Sequence, residues 1–249
     1  MGLANHICGT CDDRRVKRVW PEPELALAAP DLAAYYPWPP NRGQTWIRAN
    51  MVMSIDGCCT GPDGLSKSIS SPPDRALLGI LRREADVILV GANTIRTENY
   101  APPPKPLAIV SNNLDLPAGL AMFKEAKAQT PRSMVLTSQA AIDRSPRDLR
   151  ERIDLIACGA TEVDLETAVA ALADQGLTRI HCEGGPKLLG SLIAASLLDE
   201  LLLTISPVLV GGTDHLISTP ALPALTAKPV HVLTESGSVF SRYLLTSND

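Results

Sequence analysis

Aromatic side chains are scarce in this 249-residue chain, which has only nine. Four of them, Tyr100, Phe123, Phe240 and Tyr243, serve everything beyond residue 46. The core of that long portion must be built from Leu, Ile, Val and Ala, and stacking platforms for single-stranded nucleic acid are not expected. A basic excess is missing too. The 23 Lys and Arg stand against 27 Asp and Glu, a net charge of −4 that argues against a general polyanion binder. No apolar run reaches the roughly 18 residues that span a bilayer. The opening MGLANHICGTCDDRR lacks a sustained apolar stretch, so a secretory signal is not expected. Six cysteines in a chain this long do not make a disulfide scaffold, and a reduced, cytoplasmic setting is the default expectation.

Several chemical signatures are absent as well. No GxGxxG follows a strand, and there is no Gly-Lys-Ser/Thr phosphate loop. There is no GxSxG, no HExxH and no His/Cys-x-Glu with Pro-Cys-x-x-Cys of the zinc deaminases. Cys8 and Cys11 form a CxxC near His6, but no second ligand pair follows at zinc spacing. The pair is expected to be free thiols at a polar chain end, and no metal is expected.

What is present is an aliphatic chain, 45% hydrophobic and 20% charged, of ordinary globular balance. Residues 1–44 stand apart: they carry Pro21, Pro23, Pro30, Pro37, Pro39 and Pro40 among the aromatics Trp20, Tyr35, Tyr36 and Trp38. They read as an extended arm that packs through its aromatics on the body or on a second subunit, with one short helix over 22–32. From Thr45 to the end, a second region alternates short β-like runs with helical ones. Strands are expected at 46–54, 86–90, 107–110, 133–137, 153–157 and 179–182, and helices at 74–84, 165–174 and 186–196. The runs at 200–206 and 239–246 are long enough to be paired antiparallel strands. Alternation of this kind defines an α/β fold with a mainly parallel sheet covered by helices.

In open α/β sheets, ligands bind beyond the carboxyl ends of strands, where helix N-termini offer free N–H groups. Three segments have that form. In Arg179 to Ser191, a strand ends at Cys182, Gly184 and Gly185 turn the chain, and Pro186 suits a first helical turn. Glycine lets backbone approach a diphosphate, and the helix end favours its charge. In Asp86 to Thr94, a strand meets Gly91 and a helix start, with Thr94 placed to cap the helix or hold a phosphate. In Asn50 to Gly57, followed by Gly61 to Ser70, a strand runs into a hydroxyl-rich loop in which Asp56 is expected to bond backbone. His181, inside an apolar strand, reads as a buried, hydrogen-bonded residue rather than a base.

Taken together and in order, these segments resemble the reductase domain of the bacterial riboflavin-biosynthesis deaminase-reductase, which shares the dihydrofolate reductase-like fold. The residues that carry the resemblance are Met53-Ser54-Ile55-Asp56-Gly57, the stretch from Leu81-Arg82 to Thr94, Glu183-Gly184-Gly185-Pro186, and Leu198-Asp199-Glu200-Leu201 leading to Pro207-Val208-Leu209-Val210-Gly211-Gly212. The resemblance implies NADPH-dependent reduction of 5-amino-6-(5-phosphoribosylamino)uracil. Hydride would pass from the nicotinamide to C1 of the ribose, opening it to a ribityl chain. It further implies that Val52, Ser68, Thr94 and Glu98 lie along NADPH. Gly185, Pro186, Lys187, Leu188, Leu189, Gly190 and Ser191 would cradle its diphosphate, with Ser111 toward the adenosine. Ser66, Arg82 and Glu183 match substrate-touching positions, and Lys67 and Glu183 are the candidate proton donors. A homodimer is implied as well.

Two departures bear on the substrate. Where the family commonly has Asp-Asp-Pro and then Leu-Thr-x-Arg, this chain reads Glu98-Asn99-Tyr100-Ala101-Pro102-Pro103-Pro104-Lys105. The arginine is missing, and Lys105 is its candidate stand-in. Ser68 stands where the family often has Trp. Reduction of a pterin-like or folate-like substrate, and a non-catalytic NADPH-binding paralogue, are therefore the alternatives.

Overall fold

Nine-residue Trp46–Ser54 is a strand whose odd-numbered residues, Ile47, Ala49 and Met51, are buried against helices on one face. The opposite face carries Arg48, itself fully buried. The computed structural model describes residues 16–21, 24–27, 29–40, 44–124, 131–219, 222 and 224–246, and the Cys8–Cys11 pair lies outside them. The strands are β1 (Val16–Trp20), β2 (Glu24–Leu27), β3 (Trp46–Ser54), β4 (Val87–Gly91), β5 (Leu107–Val110), β6 (Met134–Thr137), β7 (Asp154–Ala157), β8 (Arg179–Cys182), β9 (Glu200–Ser206), β10 (Thr226–Glu235) and β11 (Ser238–Thr246). The helices are α1 (Pro72–Glu84), α2 (Ala92–Glu98), α3 (Ala121–Lys124), α4 (Gln139–Arg144), α5 (Arg147–Arg152), α6 (Leu165–Ala173) and α7 (Pro186–Ala194).

Among the described residues, the eleven strands form one sheet in the order β2-β1-β10-β11-β9-β3-β8-β4-β5-β6-β7. From β9 to β7 every pairing is parallel; from β9 outward through β11, β10, β1 and β2 every pairing is antiparallel. This is the α/β class expected, a mainly parallel sheet flanked by helices with antiparallel C-terminal strands. Among the described residues, no helix is long and apolar enough to cross a membrane.

Three apolar clusters hold the layers. Leu188, Leu189 and Leu192 of α7 and Ala168 and Leu172 of α6 pack on β3 and β8. Ile88, Val90 and Ile109 meet α2 and α4 on the far part of the sheet. Leu77, Ile80 and Leu81 of α1, spaced for one helical face, pack with Leu202, Leu233, Phe240 and Tyr36. Helix α1 begins cleanly: Ser71 accepts the Asp74 amide, and two prolines fill the positions whose N–H groups would lack partners.

The expected helix over 22–32 is replaced by β2 and a 3-10 helix at Ala29–Tyr35. Pairing of β2 with β1, Val16 opposite Leu27, satisfies its backbone in a way that local propensity does not reveal. Strand β10 had no counterpart in the sequence reading because Pro229 interrupts it. The sheet absorbs this with a register shift between Pro229 and His231.

Candidate active site

The carboxyl ends of β3, β4 and β8 open toward the same edge, as the parallel register requires. The chain leaving these strands walls three concavities. A cavity of about 590 Å³ lies among Asn50 to Val52 on β3, the 66–75 segment, Arg82, Glu98 to Pro104 and Glu183. Two grooves of about 330 and 440 Å³ run beside the N-termini of α2 and α7, sharing Gly91, Asn93, Arg96, Lys187 and Leu188. The segments 91–98 and 183–188 thus contribute both to the cavity and to the grooves.

Glu183 anchors the cavity. It follows β8 and is buried, with a side chain only 3% exposed. Arg82 clamps it bidentately, Nε to Oε1 and Nη2 to Oε2, both at 2.6 Å. The Tyr100 hydroxyl donates to Oε2 at 2.8 Å, and the Tyr100 ring lies 5.4 Å from the Arg82 guanidinium carbon. Burial alone would raise the Glu183 pKa, but the Arg82 hydrogen bonds and charge outweigh it and hold the carboxyl below its ordinary value. Glu183 is thereby an ionised anchor rather than an acid near neutrality. Burial raises the Tyr100 pKa, so its hydroxyl stays a donor. His181, two residues back on the same face and fully buried, has its pKa lowered to about 4 by burial. Neither of its ring nitrogens has a hydrogen-bond partner among the described residues, contrary to the expected hydrogen-bonded histidine. The clamp takes Arg82 Nε–H and one Nη2 hydrogen, leaving Nη1 and the second Nη2 hydrogen outside it, and the Arg82 side chain is 27% exposed at the cavity.

The grooves are organised by Gly184 and Gly185. Gly184 has φ +79°, and a Cβ there would meet Met51 Sδ at 2.6 Å; one on Gly185 would meet Thr94 Oγ1 at 2.7 Å. The Gly185 amide donates to Thr94 Oγ1 at 2.9 Å, and the Gly91 amide to the Gly184 carbonyl at 2.9 Å. Thr94 does not cap α2; its hydroxyl oxygen fastens the glycine turn to α2, and the residue lines the smaller groove. With Pro186 at the first position of α7, the amides of Lys187 and Leu188 have no acceptor one turn earlier in the helix.

Other expected site residues divide by geometry. Val52, Ser66, Lys67 and Glu98 line the cavity, Glu98 Oε1 accepting the Ser66 amide at 2.7 Å. Lys67 is exposed on its rim. Ser111 and Ser191 line the larger groove, and Pro186, Lys187 and Leu188 the smaller. Ser68 borders none of the three: its hydroxyl donates to Asp63 Oδ1 at 2.7 Å. Leu189 and Gly190 also turn away, because helical rotation carries Leu189 into the core and Gly190 against Thr219. Lys105 does not reach the cavity; Tyr100 and Pro102 to Pro104 form that wall instead. Asp56 does bond backbone, accepting from Gly211 N at 2.6 Å and from Val210 N, so it ties the 54–57 turn to the segment that follows β9.

The sequence reading missed Asp74 and Asn50, which line the cavity, and Asn93 and Arg96, which line both grooves. Asp74 was hidden by its position. Ser71-Pro72-Pro73-Asp74 reads as a helix start, and nothing local shows that the side chain is buried.

Fold and site together define an α/β protein whose cavity and grooves lie beyond the carboxyl ends of parallel strands. Over residues 45–239 the chain matches the RibD C-terminal domain family, to which it belongs. It is 29% identical over 178 residues to the 2,5-diamino-6-ribosylamino-4(3H)-pyrimidinone 5′-phosphate reductase of Methanothermobacter thermautotrophicus, covering 68% of this chain and 81% of that protein. It is 27% identical over 208 residues to the riboflavin biosynthesis protein RibD of Escherichia coli, covering 75% of this chain and 55% of that one. The fold is shared with a pyrimidine reductase-like protein from Corynebacterium diphtheriae, at a TM-score of 0.75 and 23% identity over 89% of this chain and all of the other.

Proposed function

We propose that the chain is an NADPH-dependent oxidoreductase that reduces a ribosylamino-pyrimidine 5′-phosphate of riboflavin biosynthesis. The observation that carries this reading is the pairing of a glycine-turned helix end with the Arg82–Glu183 cavity, both built from residues 183–188. The donor set fits a dinucleotide: a glycine turn in which a Cβ would clash, a helix N-terminus, and the Lys187 and Arg96 cations. When bound, the nicotinamide supplies the hydride, and C1 of the ribose receives it. Lys187 and Leu188 amides and the α7 end hold the diphosphate, Ser111 lies on the adenosine side, and Val52 and Glu98 face the cavity. Arg82 offers its Nη1/Nη2 edge to the substrate phosphate while Glu183 fixes its orientation. With Glu183 ionised, the Lys67 ammonium at the rim is the candidate proton donor.

A second reading, a pterin-like substrate, is favoured by the wall of Tyr100 and Pro102 to Pro104, which brings no arginine to the cavity. NADPH oxidation measured in parallel with the ribosylamino-pyrimidine phosphate and with dihydrofolate separates the two; turnover of dihydrofolate alone sinks the first. Gly185→Asp tests the cofactor placement. It sets a bulky anion against the diphosphate and displaces Thr94, so NADPH affinity measured by fluorescence titration is expected to vanish. Unchanged affinity would refute the placement.

A further inference from the structure

An ionised carboxylate has about four places to accept hydrogen bonds, two on each oxygen. On Glu183 three are filled at close range: Oε2 takes Arg82 Nη2 and the Tyr100 hydroxyl, and Oε1 takes Arg82 Nε. The remaining place is on Oε1, and His181 Nε2 stands 3.7 Å from that oxygen. His181 is fully buried on the Glu183 face of β8, and neither ring nitrogen has a hydrogen-bond partner among the described residues. Its register partners on β3 and β4 are Arg48 and Ile88, neither able to accept a proton. Burial lowers its pKa to about 4, so the ring is neutral and has a single N–H to place. On Nε2 that N–H faces a carboxylate oxygen; on Nδ1 it would leave the Nε2 lone pair against the anion. An apolar side chain between Ile180 and Cys182 would suit the buried strand and spare the cost of two unpaired nitrogens. Packing does not account for a histidine here.

We propose that His181 is a positioning residue for substrate capture: with its proton on Nε2, it backs Glu183 Oε1 and holds the carboxylate that aims Arg82. The inference rests on Arg82 receiving the substrate phosphate, and it adds a residue that touches neither substrate nor cofactor. Its effect is greatest when the phosphate arrives. A phosphate on the free edge shares the Arg82 guanidinium with Glu183 and weakens the bonds to Oε1 and Oε2. Tyr100 supports Oε2 from the cavity wall, and His181 does the same for Oε1 from the core. The approach of Nε2 to Oε1 is expected to close from 3.7 Å to hydrogen-bonding distance in the loaded state. A neutral donor suits this task better than a cation. Lysine or arginine in this place would compete with Arg82 for the carboxylate and draw Glu183 off its clamp. Arg48, on the adjoining strand, is kept from doing so by Glu200.

Long-range proton–nitrogen correlation spectra of the full chain, isotope-labelled at histidine and arginine, test the placement without any turnover. The His181 ring, assigned by its loss in His181→Gln, is expected in the Nε2–H tautomer, its Nε2 proton moving downfield as ribose 5-phosphate is added. An Nδ1–H tautomer overturns the proposal, as does a His181 ring that stays unmoved while the Arg82 Nε resonance shifts. No shift at either residue removes the phosphate site and the proposal with it. Kinetics supply the second test. His181→Leu is expected to raise the KM of the ribosylamino-pyrimidine phosphate roughly threefold to tenfold, with kcat and the NADPH KM within about twofold. His181→Gln, whose amide nitrogen can take the place of Nε2, restores KM; His181→Asn, which reaches only the place of Nδ1, does not. Rescue by asparagine alone, or equal losses in all three variants, makes His181 a packing residue and overturns the proposal. Should His181→Leu not fold, the difference between the Gln and Asn variants decides. An Nε2–H tautomer that responds to ribose 5-phosphate in a chain without turnover upholds the positioning role and sinks the reductase reading.

Discussion

Two buried carboxylates, Glu200 and Glu183, lie on adjoining parts of one sheet and serve opposite ends. Glu200 is shared by two arginines, Arg48 Nε at 3.0 Å and Arg242 Nε at 2.7 Å, and also accepts the Trp46 indole N–H. The arginines also donate to the carbonyls of three consecutive residues: Arg48 to Tyr36 and Pro37, Arg242 to Tyr35 and Pro37. Trp38 covers the Arg48 guanidinium at 4.3 Å. The aromatic-rich beginning of the chain is thereby fastened to the sheet by charges that no ligand can reach. Glu183 has one arginine, and that arginine keeps a free edge at a cavity. The contrast is between an ion pair closed in by carbonyls and an aromatic ring and one whose arginine side chain stays 27% exposed at a cavity.

The largest test of this contrast is Glu200→Ala. Two buried arginines lose their counter-charge, and the stability loss in urea denaturation is expected to be about 3–5 kcal/mol. Glu183→Ala is expected to cost less, since Arg82 can rehydrate through its exposed side. Equal losses would break the comparison.

Acid probes both regions at once. His181 stands beside Glu183, and His231 packs edge-on against Tyr35 and Tyr36, with ring centroids 5.6 and 5.0 Å away. Burial lowers the pKa of each to about 4. The unfolded chain, with histidine near its usual value of about 6.5, takes up these protons first. Stability is therefore fully present above about pH 6.5 and falls toward pH 4, by on the order of 3 kcal/mol per histidine. Below that, Glu183 takes over: its folded pKa lies below the unfolded value, so its contribution is lost as pH falls through the folded pKa. Equilibrium unfolding at fixed pH values reads the slope, and His231→Asn is expected to remove about half of it. A slope unchanged by that variant would detach the histidine from the fastening of Tyr35 and Tyr36.

Arg82→Ala comes next. If the free edge of Arg82 holds the substrate phosphate, the substrate KM rises roughly tenfold to hundredfold while the NADPH KM barely moves. Equal effects on both would make Arg82 a structural arginine like Arg48.

The legibility of the two regions follows the same divide. β5 and β8 were readable because Leu107 to Val110 is an apolar run and Ile180 and Cys182 flank a single polar residue, His181, in segments buried on both faces. The Glu183-Gly-Gly-Pro turn was readable because its glycines are needed within the segment itself. The antiparallel end was not. Val16 pairs with Leu27 but Arg18 with Leu233, a partner more than two hundred residues away, and Pro229 disguises the strand between. Arg48 and Arg242 look like ordinary polar positions in alternating strands until the fold brings both to Glu200. Asp74 was illegible for the same reason: its meaning lies in what buries it.

The smallest expected effect is the most discriminating. Tyr100 lies in the wall of the cavity, and it reaches Glu183 through its hydroxyl. Tyr100→Phe keeps the ring over Arg82 and removes one hydrogen bond to a carboxylate that retains two others from Arg82. The stability cost should therefore be about 1 kcal/mol, far below that of Glu200→Ala. With one donor fewer, Glu183 recovers part of its ordinary pKa and grips Arg82 less firmly, so the substrate KM should rise severalfold with kcat nearly unchanged. A fall in kcat with KM constant would instead place the Tyr100 hydroxyl at the reacting atoms. That would move the proton donor from Lys67 to Tyr100.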